Sequence, residues 1–342
     1  MDHLISKILD YCQQNSIRKL LIIIDKTVSE CYPFPWEKLR PNIVYYLYNV
    51  KGNESSKSIE EAIKIWQFLT QHHFSKSDAI CNIGGGTISD LGGFIASTYK
   101  RGIRFVNIPT TLLAMADAAH GGKNGINLEE IKNGIGTFAL PDYVWIDKKF
   151  LKTLPQNELL NGFAEVFKCA LIANHTLWQE IKTIKNINYH SIQPEWINFA
   201  ITFKQKLVAQ DPHDKGIRHL LNFGHTLGHA YETFFLKQNR PIPHGFCVAY
   251  GIVDAAQIST YYNLISYKEY KEIYTFVHQF YSFPTLNYQE KEEIYKICQH
   301  DKKNRDEKIL FVLLKGIGKA IYNYEVTLNH LKQILDQTQN LN

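Results

Sequence analysis

Short apolar runs alternate with amphipathic segments in the first third of the chain, and this alternation constrains the fold most. Apolar residues recur at helical spacing over residues 2–14 and 58–72, and Ser58 with Glu61 is typical of a capping box at the start of the second segment. A further helix is predicted to start at Ser89. Strand-like runs occupy residues 20–25, 43–48, 79–83 and 103–108. Buried strands that alternate with amphipathic helices form βαβ units, so the sequence predicts a parallel sheet.

The second half of the chain has a different pattern. From about Pro155 the apolar spacing is helical, and the only strand-like pair comes late. Helical spacing runs almost throughout, for example over residues 159–172, 196–208 and 246–262, and the strand-like pair is 309–314 with 320–322. We therefore predict an α/β fold with two domains. Residues 1–152 form a Rossmann-like, NAD-binding parallel-sheet domain, and residues 153–342 form a mainly α-helical domain that binds metal and substrate.

Composition excludes several classes of protein. With 342 residues, 45% hydrophobic and 21% charged, the chain suits two globular domains rather than a disordered or fibrous protein. A net charge of +5 is too small to indicate nucleic-acid binding, but it suits an anionic small substrate. No apolar run is long enough to span a bilayer, and the six cysteines form no CxxC pair. We expect a cytoplasmic protein that binds neither nucleic acid nor membrane.

Glycine-rich segments indicate where anions bind. Gly84-Gly85-Gly86 follows a strand and precedes a helix, where backbone N–H groups can face a phosphate, and Asp90 could orient the loop or contact a ribose. The spacing is not GxGxxG, and a tight strand–helix turn is the alternative. In the segment 117–134, four glycines accompany Lys123 and Lys132, which suits a wrap around an anion. A solvated loop would explain those glycines but not the lysines beside them.

A group of acidic and histidine side chains in the helical half suggests a metal site. Glu165 and Lys168 share one helical face, His225 and His229 share another, and His244 stands at a probable helix start. One carboxylate with two or three imidazoles forms an open zinc site that leaves room for substrate oxygens. The alternative is a set of hydrogen-bonded core histidines, because the HxxxH spacing here lacks the glutamate of HExxH.

Taken together and in order, these segments resemble the 3-dehydroquinate synthase family over about residues 20–325. The segments are GGGxxxDLxGF (84–94), TYKRGIRFxxIPTTLLA (98–114), DxxxGGKxGIN (117–127), KN (132–133), LKTLP (151–155), GxAEVxK (162–168), RxxLNFGHTxGHAxE (218–232), PHG (243–245) and DKK (301–303).

The resemblance implies an enzyme of the shikimate pathway, which leads to chorismate and the aromatic amino acids. Such a lyase converts 3-deoxy-D-arabino-heptulosonate 7-phosphate to 3-dehydroquinate and phosphate. It does so by transient oxidation with NAD, β-elimination, re-reduction and an aldol closure. The resemblance also implies bound NAD, a divalent metal (Zn²⁺ or Co²⁺) and a homodimer.

The resemblance assigns roles to residues of this chain. It implies that Glu165, His225 and His244 bind the metal, and that His229 transfers protons rather than binding metal. The other implied catalytic residues are Asp214, Lys168 and Asn222. The implied substrate-binding residues are Arg101 (across the dimer interface), Asp117, Lys123, Asn133, Lys168, Lys204, Arg218, Asn222, His229 and Lys303. The implied cofactor-binding residues are Asp25, Glu54, Lys57, Gly84, Gly85, Gly86, Asp90, Thr110, Thr111, Asp117, Lys123, Lys132, Phe150, Leu151, Lys152 and Thr153.

The chain departs from the family pattern at two functional positions. Asp214 stands where a proposed glutamate base is usual, one methylene shorter, and Phe246 replaces the usual glutamate after His244-Gly245. Three alternative functions remain at this stage: a sister sugar-phosphate cyclase, an NAD-dependent glycerol-type dehydrogenase, and a non-catalytic binding relative. Lys123 favours a substrate that bears a carboxylate, a dehydrogenase of glycerol has little use for the cationic residues, and the filled metal-ligand positions disfavour a non-catalytic relative.

Overall fold

The computed structural model describes residues 1–40, 42–129, 131–282, 284–299 and 308–336. The chain divides into two compact units, Met1–Pro155 and Gln156–Asn342. Lys303, predicted to bind substrate, lies outside the described residues. Among the helices that the structure describes, none combines the length and apolar character needed to cross a membrane.

A parallel sheet with flanking helices forms the first unit. The strands of the first unit are β1 (Lys19–Asp25), β2 (Val44–Val50), β3 (Ala79–Gly84), β4 (Arg104–Pro109), β5 (Lys123–Leu128), β6 (Ile131–Phe138) and β7 (Tyr143–Val144). Its helices are α1 (Asp2–Gln14), α2 (Lys26–Cys31), α3 (Ile59–Gln71), α4 (Gly86–Thr98) and α5 (Leu112–Ala116). The order β2-β1-β3-β4-β7 is parallel throughout, which confirms the predicted sheet.

The order of the strands marks one edge of the sheet as a binding region. The chain runs outward from β1 to β2, then returns past β1 to β3, so the connections diverge between β1 and β3. Sheets of this kind bind ligands outside the carboxyl ends of their strands at such a switch point. The strands that end at Asp25 and Gly84 flank this point.

Two local predictions in this unit need correction. Helix α4 begins at Gly86 rather than at Ser89, because Gly85 already serves as its N-cap. Ser58 does cap α3, since its hydroxyl accepts a hydrogen bond from the backbone N–H of Glu61. In a capping box the Glu61 carboxylate would accept a hydrogen bond from the backbone N–H of Ser58. Here that carboxylate contacts Tyr48 and Lys64 instead.

The segments 123–128 and 131–138, for which no strand was predicted, pair antiparallel as β5 and β6. Glycine makes this pairing possible because the two backbones approach closely: a Cβ on Gly136 would lie 2.6 Å from the carbonyl oxygen of Asn124. Asn124 is itself buried and donates hydrogen bonds to the carbonyl oxygens of Gly122 and Ala139. The glycines therefore serve strand pairing, which explains why the sequence pattern resembled a loop.

The second unit is mainly helical, as predicted. Its helices are α6 (Gln156–Ala173), α7 (His175–Ile181), α8 (Pro194–Gln210), α9 (His225–Lys237), α10 (His244–Tyr261), α11 (Tyr267–Phe280), α12 (Tyr288–Gln299) and α13 (Leu328–Asp336). Among the described residues of this unit, β8 (Lys308–Leu314) and β9 (Ala320–Thr327) pair antiparallel where the late strand-like pair was predicted.

Candidate active site

Three side chains of the second unit converge on one point. Glu165 lies in α6, His225 begins α9 and His244 begins α10. One ligand atom from each lies within 4.8 Å of the others. The Nε2 atoms of His225 and His244 are 3.6 Å and 3.7 Å from Oε1 of Glu165. This spacing fits a single cation held between a carboxylate and two imidazoles.

Glycines allow the three helices to approach closely enough to form this group. A Cβ on Gly245 would lie 1.9 Å from the carbonyl oxygen of Asn161 in α6, and a Cβ on Gly251 would lie 2.0 Å from that of Gly224. Gly224 has a φ of +78°, a conformation that glycine adopts readily, immediately before His225. The Asn161 side chain also accepts a hydrogen bond of 2.6 Å from the backbone N–H of Gly245. The glycines beside the histidines therefore position them.

Hydrogen bonds orient both imidazole rings toward Glu165. Nδ1 of His225 donates to the carbonyl oxygen of Phe223 over 3.2 Å, and Nδ1 of His244 lies 3.2 Å from a carboxylate oxygen of Glu232. With Nδ1 engaged as a donor, Nε2 is the nitrogen of each ring that faces Glu165 and could bind a cation.

Glu165 is 1% exposed, and its carboxylate faces Lys168, His225 and His244 rather than water. Lys168, also buried, forms an ion pair with Glu165. Burial raises the pKa of Glu165, but the charges of Lys168, His225 and His244 outweigh burial and hold the pKa well below 4.5. A buried, ionised carboxylate that faces two imidazoles rather than water is the kind of group that binds a metal ion.

The two histidine ligand candidates differ in their proton affinity. Burial and the nearby Lys168 lower the pKa of His225 well below 6.5. Burial also lowers the pKa of His244, but hydrogen bonds to Glu165 and Glu232 outweigh it and raise the pKa to about 10. A cation at Nε2 of His244 would therefore have to displace a proton.

Other predicted residues of this unit lie in the same helices or beside them. His229 is one turn after His225 in α9, with its ring centroid 5.3 Å from that of His225 and 5.9 Å from that of His244. Lys204 in α8 and Arg218 are buried cations, which is uncommon unless they have a function or an acidic partner. Asn222 ends the 3₁₀ turn that carries Arg218.

A tightly bonded loop carries Asp214. The Asp211 carboxylate accepts hydrogen bonds from the backbone N–H groups of Lys215, Gly216 and Arg218, and these bonds lower its pKa. Asp214 has a φ of +56°, and its carbonyl oxygen lies 2.9 Å from Nε2 of His219. The loop therefore has a defined conformation around the residue that replaces the usual glutamate.

In the first unit, predicted cofactor residues gather at the carboxyl edge of the sheet. Asp25 ends β1, where its carboxylate caps α2 by accepting from the N–H of Thr27. The glycine triplet joins β3 to α4. After β4, the backbone N–H of Thr110 donates to the carbonyl oxygen of Gly84, and the side chain of Thr111 caps α5 and faces Gly85. This edge matches the switch point described above.

Lys57 is at the centre of a second group of predicted residues at this edge. The side chain is buried, and its Nζ donates hydrogen bonds to Asp90 (2.8 Å) and Asn133 (2.5 Å) and lies 3.8 Å from Glu54. Asn127, which the sequence analysis did not single out, donates to Glu54 and accepts from the N–H of Asn133. The hairpin thus joins the predicted cofactor residues to Asn133, a predicted substrate residue.

The remaining predicted residues of the first unit are more dispersed. Lys123 begins β5 and Lys132 lies in β6, both exposed, and Asp117 follows α5 as its C-cap. Arg101 is exposed with a φ of +66°. Residues 150–153 lie in and after a 3₁₀ turn: Phe150 and Leu151 are buried, Lys152 is exposed, and the Thr153 hydroxyl is 2.9 Å from that of Tyr32.

Sequence reasoning missed three residues that organise these groups: Glu232, Asn161 and Asn127. Glu232 was visible, since it closes the RxxLNFGHTxGHAxE segment and follows His229 by three residues. Asn127 likewise closes a quoted segment, DxxxGGKxGIN, but its contact with Glu54 and that of Asn161 with Gly245 join residues remote in sequence, so no local pattern could reveal those contacts.

Comparison with known proteins decides the family. The family profile 3-dehydroquinate synthase N-terminal matches residues 47–161, and the profile 3-dehydroquinate synthase C-terminal matches residues 162–304. The chain belongs to the 3-dehydroquinate synthase family.

Curated members of this family match most of the chain. The 3-dehydroquinate synthase of Parabacteroides distasonis is 34% identical over 338 residues, which cover 97% of this chain and 94% of that protein. The 3-dehydroquinate synthase of Lactococcus lactis subsp. cremoris is 42% identical over 288 residues, which cover 82% of this chain and 79% of that protein.

Solved structures confirm the fold. A 2-epi-5-epi-valiolone synthase from Streptomyces hygroscopicus, solved with NAD⁺ and Zn²⁺, has a TM-score of 0.81 at 24% identity and covers 96% of this chain and 93% of its own. A 2-deoxy-scyllo-inosose synthase, complexed with carbaglucose-6-phosphate, NAD⁺ and Co²⁺, has a TM-score of 0.84 at 23% identity, covering 98% and 95%. A probable glycerol dehydrogenase from Sinorhizobium meliloti is more distant, with a TM-score of 0.58 at 13% identity, covering 98% and 94%.

Proposed function

We propose that the chain is a 3-dehydroquinate synthase, a lyase of the shikimate pathway. It converts 3-deoxy-D-arabino-heptulosonate 7-phosphate to 3-dehydroquinate and phosphate. The observation that carries the proposal is the match to both family profiles, which together run through the two units of the chain. We further propose that the enzyme works in the cytoplasm.

Glu165, His225 and His244 are the residues we assign to a divalent metal, Zn²⁺ or Co²⁺. The buried, ionised Glu165 carboxylate and two imidazole Nε2 atoms within 4 Å of it fit such an ion. The solved relatives that hold Zn²⁺ or Co²⁺ support the assignment. When bound, the metal polarises substrate hydroxyl groups and lowers their pKa.

We assign NAD to the carboxyl edge of the parallel sheet, so that the first unit binds the cofactor and the second unit binds metal and substrate. NAD supplies reversible oxidation of the substrate alcohol, with no net change of redox state over a turnover. The glycine triplet offers backbone N–H groups at the start of α4 to an anionic group. Lys57 holds Asp90 and Glu54 in place around that edge. The remaining cofactor assignments are Asp25, Thr110, Thr111, Asp117, Lys123, Lys132 and residues 150–153.

Cationic residues suit a substrate with both a carboxylate and a phosphate. We assign to its anionic groups and hydroxyls the residues Lys123, Asn133, Lys168, Lys204, Arg218, Asn222 and Lys303, together with Asp117. Burial of Lys168, Lys204 and Arg218 keeps water away from their charges, which strengthens their attraction for an anion. His229, beside the two ligand imidazoles, is assigned to proton transfer, with Asn222 and Lys168 as further catalytic residues and Asp214 as the proposed base.

We also propose that the enzyme is a homodimer in which Arg101 faces the site of the second copy. Its exposed position next to Gly102, at a backbone φ of +66°, suits a side chain that projects from the surface of its own subunit.

The experiment that tests the function incubates purified protein, Zn²⁺ and a trace of NAD⁺ with 3-deoxy-D-arabino-heptulosonate 7-phosphate. Phosphate and 3-dehydroquinate should form in equal amounts, depend on NAD⁺ and leave no net NADH. Parallel reactions with sedoheptulose 7-phosphate and with glycerol test the two alternative activities. Turnover of either compound, with none of the heptulosonate, would replace the proposal by a sister cyclase or a glycerol-type dehydrogenase. If the protein turns over none of the three substrates, the changes at Asp214 and Phe246 would be the leading explanation for lost activity.

A further inference from the structure

Glu232 contacts the candidate metal ligand His244 from the side opposite to Glu165. Its Oε2 atom lies 3.2 Å from Nδ1 of His244, and its side chain is 16% exposed. The Nε2 atom of the same ring faces Oε1 of Glu165 at 3.7 Å. His244 therefore lies between two carboxylates, one at each ring nitrogen.

This arrangement assigns different roles to the two carboxylates. A carboxylate that accepts from Nδ1–H keeps the proton on that nitrogen and leaves the lone pair on Nε2. It also holds the plane of the ring and makes Nε2 a better electron donor. His225 has a corresponding acceptor in the carbonyl oxygen of Phe223, but that acceptor is uncharged and belongs to the backbone. Glu232 is thus the side chain through which a mutation can test ring orientation.

We propose that Glu232 is a positioning residue that orients His244 for metal binding. The inference rests on the proposed function, since it presupposes a metal held by Glu165, His225 and His244. It differs from a role as ligand: Glu232 also belongs to a second group of possible ligands with His229 and His244. In that second group Glu232 would bind the ion itself, and its hydrogen bond to Nδ1 would be lost.

The test is a titration of metal-free protein with Co²⁺, followed by visible absorption, with Zn²⁺ affinity measured by competition. We expect Glu232→Ala to weaken the binding of both metals roughly 10- to 100-fold. It should also change the visible absorption bands of bound Co²⁺, because the His244 ring is no longer held. Glu232→Gln should bind within about threefold of wild type, since an amide oxygen can accept the same hydrogen bond. Glu232→Asp, which keeps the charge but is one methylene shorter, should resemble Glu232→Ala.

A matched control is Glu292→Ala, which removes a similarly half-buried carboxylate that pairs with Lys332 in the same unit. Its metal affinity should equal that of wild type. Circular dichroism of each metal-free variant shows whether it folds, and Glu232→Asp replaces Glu232→Ala if the alanine variant does not.

Each other outcome overturns the inference. Unchanged affinity in Glu232→Ala and Glu232→Asp would show that ring orientation does not need the carboxylate. Equal weakening in Glu232→Gln and Glu232→Ala would show that charge, not the hydrogen bond, matters. Complete loss in Glu232→Gln, as expected for His225→Ala, would make Glu232 a ligand. If wild type itself binds no metal, the metal assignment under the proposed function fails as well.

Discussion

At the scale of single residues, we expect a substitution of Glu165 to destabilise the protein strongly. Its charge and that of Lys168 are both removed from water, and a buried ion pair is costly to break because the remaining charge has no compensation. The sequence predicted that these two side chains share a helical face. It could not predict their burial, which depends on the helices packed around α6.

We expect Glu165→Gln to lower the free energy of unfolding of the metal-free protein by roughly 3 kcal/mol, because Lys168 stays buried without its partner. It should also abolish Co²⁺ binding. Denaturant unfolding and the Co²⁺ titration measure the two effects. Glu292→Gln, in a partly exposed ion pair with Lys332, should cost less than about 1 kcal/mol. Equal unfolding midpoints for Glu165→Gln and wild type would contradict the expectation.

Asp254 in α10 makes stability depend on pH. Burial raises its pKa from 3.8 to about 7. The hydrogen bond of 2.7 Å from the Tyr231 hydroxyl lowers the pKa, but burial outweighs it. The folded state therefore holds this proton more tightly than the unfolded state does. The contribution to stability is fully present below pH 4 and is lost as pH rises toward 7, by at most about 4 kcal/mol.

Asp254→Asn should remove this loss, because an amide does not ionise. The free energy of unfolding, measured at intervals from pH 4.5 to 7.5, should fall less steeply with rising pH in the variant than in wild type. Parallel curves for the two proteins would show that Asp254 titrates normally in the folded state.

At the scale of elements, the packing of α9 on α10 determines where His225 and His244 lie. The sequence predicted α10 from apolar periodicity, placed His225 and His229 on one helical face, and located His244 at a probable helix start. The close approach of the helices, through Gly224, Gly228 and Gly251, was not predicted, because helical periodicity says nothing about which helices touch. For the same reason the β5–β6 hairpin was missed: its glycines are required by a neighbouring strand.

Gly251→Ala tests this packing. Alanine favours a helix over glycine by about 1 kcal/mol, but its Cβ would lie 2.0 Å from the Gly224 carbonyl oxygen. We expect a net loss of about 2 kcal/mol in the free energy of unfolding, because two backbones must move apart, and weaker Co²⁺ binding, because Gly224 precedes His225. Thr260→Ala, at a half-buried position of the same helix, should leave Co²⁺ affinity unchanged. A Gly251→Ala protein as stable as wild type would contradict this account of the helix contact.

At the scale of the whole molecule, the proposed ligands bind different units. A ligand that binds only the folded state stabilises it by about 2.7 kcal/mol at a concentration of 100 times its Kd. For a unit of this size that corresponds to a rise in Tm of about 5–10 °C. Zn²⁺ and NAD⁺ should therefore each raise the Tm of the unit that binds it.

The variant His225→Ala distinguishes stabilisation by Zn²⁺ from stabilisation by NAD⁺. In this variant the stabilisation by Zn²⁺ should disappear, whereas that by NAD⁺ should persist, since the proposed NAD site lies at the sheet edge of the first unit. Differential scanning calorimetry with each ligand alone provides the measurement. Undiminished stabilisation by Zn²⁺ in His225→Ala would mean that the metal is bound elsewhere.

The sequence by itself determined the parallel sheet, the helical second part and the family, because buried strands, amphipathic helices and ordered motifs are all local patterns. Within the candidate site, spacing alone left open whether His229 or His244 completes a group with Glu165. Tertiary structure placed the Nε2 atoms of His225 and His244 against Glu165, and it gathered Glu54, Asp90 and Asn133 around Lys57. Those arrangements depend on contacts between residues far apart in the chain, whose energies arise only when the helices and strands have packed.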